Sequence, residues 1–107
     1  MKSKTDLSYL KDLEIILQEE LLFDLTGKSL TDMKNHSQRY SKEIHFLYEV
    51  VDCLRGSYND EGIRRWFQRG RSQLEGKSPL EYLGSDWNPD EEEARHVLEL
   101  AKYLETT

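Results

Sequence analysis

Apolar residues recur along this chain three and four positions apart, with charged residues between them, and that spacing predicts helix almost throughout. Over residues 6–25, Leu10, Leu13, Leu17 and Leu21 form a stripe, Ile16 and Leu22 widen it, and Gly27 is placed to cap the end. One long amphipathic helix is expected there. Residues 29–36 suit a short helical turn, because Leu30 and Met33 are three apart and Thr31-Asp32 favour a helix start. A second stripe of Ile44, Leu47, Val51 and Leu54 predicts a helix over 41–54, broadened by Tyr40, Tyr48 and Val50 and stopped at Gly56. The β-branched pair Val50-Val51 is too short for a strand. Residues 56–59 read as a turn, and Asn59 or Asp60 can cap a helix running through Ile63, Trp66 and Phe67. Asn88-Pro89 and the acidic run 90–93 open a last helix, with Ala94, Val97, Leu98, Ala101 and Leu104 as its core stripe and Lys102 near its other end.

The stretch 66–83, WFQRGRSQLEGKSPLEYL, sets two turn signals at fixed offsets from apolar anchors. Trp66 and Phe67 end a helical run, Gly70 can take the left-handed conformation that stops it, and Leu74 is a lone apolar anchor. Gly76 allows a further tight turn, and Ser78-Pro79 supply an N-cap followed by proline at the first helical position. A shaped loop between two helices is expected.

The spacing of Trp66, Leu74, Gly76, Pro79, Leu80 and Leu83 resembles the toxin-binding domain of the Xre/MbcA/ParS-like antitoxins, in which Trp-Leu is followed by Pro-Asn, Leu, Gly and Pro-Leu. Gly70 and Arg71 stand where that family usually has Pro-Asn. The resemblance covers about residues 50–107. It implies a small helical domain that covers the NAD pocket of an ADP-ribosyltransferase-like toxin, often of the RES type, using the domain and its C-terminal end. It also implies dimerisation and, in many members, promoter repression through an N-terminal helix-turn-helix. Residues 1–40 offer an acidic long helix and a turn, not a compact unit with a basic recognition helix.

Composition sets the limits around this reading. The 107 residues suit a single domain with one small core, in which 1–40 form an N-terminal helical segment and 41–107 the antitoxin-like region. A lone Cys53 can form no internal disulfide, which fits a reducing, cytoplasmic setting. No segment approaches the roughly 18 apolar residues of a membrane span, and the first ten residues lack the apolar stretch of an export signal, so a soluble protein is expected. The net charge of −6 divides unevenly, at −3 over 1–54, +3 over 55–77 and −6 over 78–107. Broad nucleic-acid binding needs a positive surface, which leaves only a local exception around Arg64, Arg65, Arg69, Arg71 and Lys77.

Candidate chemistry is sparse. His36, His45 and His96 are scattered without metal-ligand spacing, His45 being placed to face carboxylates on its own helix, and the carboxylates of 90–93 point in different directions on a helix. Residues 70–78 superficially suggest a phosphate loop but are one residue too long for that motif and follow no strand. Trp66, Phe67, Tyr82 and Trp87 suit core or interface wedges. Arg64 and Arg65 face different ways and are expected to be solvated or paired with Asp60 or Glu61, whereas Arg69 and Arg71 flank a loop glycine and could grip a partner's carboxylate or a phosphate.

The expectation is therefore an all-α bundle of about five helices acting as a non-enzymatic, antitoxin-like inhibitor of a NAD-consuming toxin. No cofactor and no metal are expected. Expected partner contacts are Arg69, Arg71, Lys77, Lys102 and Tyr103, with Trp66, Leu74, Gly76, Pro79, Leu80 and Leu83 as the motif core. A homodimer is expected. The alternatives are a DNA-associated transcriptional regulator and a plain helical dimerisation module, with DNA the less favoured partner and a membrane excluded.

Overall fold

The structure, a computed structural model, describes residues 5–84 and 87–106, with side chains described for 5–84 and 87–103. Among these residues the fold is all α, with no strand: α1 (Asp6–Thr26), α2 (Leu30–Asn35), α3 (Ser41–Leu54), α4 (Asp60–Gln68), a 3-10 turn (Ser72–Leu74), α5 (Pro79–Leu83) and α6 (Glu92–Thr106). The helices start where short polar side chains accept early amides. Thr5 takes the Ser8 amide at 3.1 Å, Ser29 that of Asp32 at 3.1 Å, and Asn59 that of Gly62 at 2.8 Å. Gly27 ends α1 in the expected left-handed conformation, its amide donating to the Phe23 carbonyl at 2.7 Å. Before α6, Asn88 Oδ1 accepts the Asp90 amide at 2.9 Å and its carbonyl accepts the Glu91 amide at 2.9 Å, so the helix proper begins at Glu92.

α3 lies at the centre of the molecule, with α1 on one side and α6 on the other, while α4 packs on α1 and α5. Its apolar stripe is fully buried at Ile44, Leu47, Val50, Val51 and Leu54. From α6, Ala94, Val97 and Ala101 are buried and Leu98 is partly so; the side chain of the expected core residue Leu104 lies outside the described residues. Trp87 closes the bundle between α1 and α3. Its ring lies 5.0 Å from that of Phe46, and its indole N–H donates to the Leu25 carbonyl at 2.6 Å. A buried indole with its N–H satisfied contributes its apolar area without a desolvation penalty.

The first helix differs from the expected single rod. Gln18 has φ 69° and ψ 158°, which breaks α1 into two segments in series. The reason lies in the phase of the apolar positions. At 3.6 residues per turn, the mean direction of Leu21, Leu22 and Leu25 lies about 110° round the helix from that of Leu10, Leu13, Ile16 and Leu17. A straight rod would leave one set in water. The strained Gln18 backbone costs on the order of 1–3 kcal/mol, less than the roughly 4.5–9 kcal/mol from burying even the smaller set of three large aliphatic side chains at about 1.5–3 kcal/mol each, and all seven are buried. Arg64 helps to hold the break, its Nη1 donating to the Ile16 carbonyl at 2.7 Å. Ile15 and Phe23 stay outside the core, 68% and 51% exposed.

Candidate functional site

α4 and the loop that follows it build the candidate site. The inner face of α4 is anchored by buried Ile63, Trp66 and Phe67, with the Trp66 and Phe67 rings edge to face at 5.2 Å. Anchoring that face leaves Glu61, Arg65 and Gln68 outward, and the guanidinium of Arg65 reaches the Glu61 carboxylate at 2.8 Å one turn back. Gly62 has a specific reason to be a helical glycine. A Cβ there would lie 3.0 Å from the Cβ of Tyr58, so its absence lets Tyr58 lie against the first turn of α4.

The loop after α4 is closed by its own backbone. The Arg71 amide donates to the Lys77 carbonyl at 3.1 Å, and the amides of Leu74 and Gly76 donate to the Arg71 carbonyl at 3.0 and 2.8 Å. Glu75 and Gly76 take the left-handed conformation, with φ 60° and 84°. Gly70 does not, which corrects the expectation that it stops α4 by a left-handed turn; α4 ends instead at Arg69 in an extended conformation. The role of Gly70 is close approach. A Cβ at Gly70 would stand 2.5 Å from the Gly76 carbonyl oxygen, a backbone atom with no rotamer to yield. Because the amides of Leu74, Glu75, Gly76 and Lys77 all donate to loop carbonyls, they make no cradle for a phosphate.

Beyond the loop, Ser78 and Glu81 form a capping box. The Glu81 amide donates to Ser78 Oγ at 3.1 Å and the Ser78 amide to Glu81 Oε1 at 3.0 Å. Those bonds from Ser78 hold the Glu81 carboxyl below the usual carboxylate range, partly opposed by desolvation. Pro79 occupies the first turn of α5, as its fixed φ favours.

Arg71 is set by this frame. Its guanidinium carbon sits 4.9 Å from the Trp66 ring centroid, and its Nε is covered and without a hydrogen-bond partner. Burial lowers its pKa from the ordinary arginine value and Arg69 adds to the fall, while Tyr58 opposes it. The side chain stays cationic. Tyr58, Gly62, Arg65, Trp66, Arg69 and Arg71 together line a cleft of about 190 Å³. Three guanidinium groups enter this lining and no carboxylate does; Glu61, bonded to Arg65, is not part of it.

The expected site residues separate into two places. Arg69 and Arg71 share the cleft, whereas Lys77 contributes its carbonyl to the loop and does not line it. Lys102 and Tyr103 lie on α6, which packs on α3 and α5; Lys102 Nζ pairs with Glu49 of α3 at 3.5 Å, and Tyr103 is exposed. The motif residues Trp66, Leu74, Pro79 and Leu83 are buried, and Leu80 is partly buried. Tyr58 and Arg65 were not among the expected site residues; Tyr58 precedes α4, and Arg65 lies on its outward face.

The histidines are dispersed. His45 Nε2 meets Asp6 of α1 at 2.7 Å, not a carboxylate of its own helix, and His96 Nδ1 meets the Tyr82 hydroxyl at 3.2 Å. Among the described residues no three His, Cys, Asp or Glu side chains converge as a metal group, and no helix is long and apolar enough to cross a membrane. The chain matches no family model, no curated protein and no solved structure.

Proposed function

We propose that this chain is a non-enzymatic binding module of the antitoxin kind, which docks on and inhibits a NAD-consuming toxin through the face formed by α4 and the loop 69–77. The observation that carries the reading is the cleft itself. On a chain of net charge −6, Arg65, Arg69 and Arg71 converge without a carboxylate in the lining. Arg65 is paired with Glu61, which leaves Arg69 and Arg71 to grip a partner's acidic side chain, Arg71 with little ordering cost because it packs on Trp66. The spacing from Trp66 to Leu83 supports the antitoxin form of the reading, and Trp66, the first residue of that spacing, lines the cleft.

The test is co-expression with the product of the adjacent gene, followed by pull-down and an NAD-hydrolysis assay. The charge reversals Arg69→Glu and Arg71→Glu are expected to weaken the complex by about tenfold or more, with helicity retained. Unchanged inhibition by a folded double variant would place the contact face elsewhere.

Self-association is the companion reading, supported by the exposure of Ile15 and Phe23 on α1. A monomer by light scattering at the concentrations used in the inhibition assay removes it.

A further inference from the structure

We propose that the cleft between Tyr58 and Arg71 binds the phosphate of a small phosphomonoester, and that this ligand competes with the protein partner for the same arginines. The competition rests on the reading above, whereas the binding does not.

The argument starts from a charge count. The lining brings in three cations, and one is answered by Glu61 at 2.8 Å from Arg65. Two positive charges are left, on Arg69 and Arg71, with no ion pair made by either among the described residues. A lone carboxylate neutralises one of them. A phosphomonoester carries about −1.5 to −2 at neutral pH and presents three acceptor oxygens, so it matches both.

Geometry narrows the choice further. The Trp66 face under the Arg71 guanidinium orients that planar fork, and planar forks bond phosphate through two parallel N–H groups. Tyr58 also lines the cleft and carries a hydroxyl, a group that can donate a hydrogen bond to phosphate. The ligand is a small one for two reasons. The cleft holds only about 190 Å³, enough for a phosphate and a short organic portion. The regions on either side in sequence carry net −3 and −6, which repels an extended polyanion such as nucleic acid.

The experiment titrates the full chain with phenyl phosphate, and with acetate as the monoanionic control, at constant ionic strength. Amide and arginine side-chain resonances are followed by NMR. The expected result is saturable one-to-one binding that shifts Arg71 and Trp66, with acetate weaker by about tenfold or more. Arg71→Lys keeps the charge and loses the fork, and about a tenfold loss is expected. Because Arg71 also packs on Trp66, Arg69→Gln serves as the second variant; Arg69 is exposed and outside the core, and retained amide chemical-shift dispersion confirms its fold before affinity is read. Non-saturable shifts, equal affinity for acetate, or unchanged binding in the Arg69 variant would overturn the proposal. If phosphate fails to bind while the charge reversals still break the toxin complex, the phosphate site falls and the docking face stands. If phosphate binds without displacing the toxin, the competition falls.

Discussion

Trp66→Ala is expected to destabilise the protein by about 3–5 kcal/mol, the range for truncating a buried aromatic. Trp66 is 2% exposed, meets Phe67 edge to face, and supports Arg71 from below. Its removal therefore opens a cavity in the core and takes away the surface on which the guanidinium rests. Against a total stability of about 5–15 kcal/mol for a domain, the loss is a large share, and it lowers the melting temperature by about 12 °C or more. Denaturant titration gives the check, with a reduced midpoint at unchanged slope. Trp66→Phe, which keeps an aromatic side chain, is expected to recover much of the loss. A parent-like midpoint for the alanine variant would mean that Trp66 is a surface contact and that the cleft has no structural floor.

Leu74→Ala is expected to cost about 2–5 kcal/mol and to do so in a different way. Leu74 is fully buried and is the apolar anchor of the 3-10 turn, while its neighbours 71, 72, 73, 75, 76 and 77 are half-buried or exposed. Hydrogen exchange should separate local from global effects. The amides of Leu74, Glu75, Gly76 and Lys77, which bond within the loop, should lose protection first. If both the unfolding midpoint and the exchange of these amides match the parent, the loop owes its shape to its backbone bonds alone.

The sequence made most of the helical elements readable because their signals are local. Asn59, Ser78 with Pro79, and the stripe from Ile44 to Leu54 each specify an element from within a few residues. The break at Gln18 was harder to read because no glycine or proline marks it. It shows only when the two halves of the helix are phased separately, since the progression Leu10, Leu13, Leu17, Leu21 looks continuous while Leu22 and Leu25 drift off it. Gly70 was misread for a related reason. A glycine can serve a left-handed turn or a close contact, and only the position of the Gly76 carbonyl six residues on distinguishes them.

Half of the cleft was legible as well. Arg69 and Arg71 drew attention as loop arginines beside a glycine, but Tyr58 and Arg65 join them through the packing of a helix against the preceding turn, which is a tertiary relation. Lys102 was grouped with them by its place in the family resemblance, and its ion pair with Glu49 ties it to α3 instead.

Helix–coil theory gives the interruption of α1 a thermodynamic meaning. Each side of Gln18, residues 6–17 and 19–26, is no longer than the roughly 12–15 residues below which an isolated helix is marginal in water. Cooperative propagation stops at the break, so neither half can nucleate the other. Their helicity is therefore conditional on α3 and α4, against which α1 packs, and each half can fray on its own account. For residues 6–17, the bond from Arg64 of α4 to the Ile16 carbonyl ties that conditional order to the same helix that carries the arginine cleft.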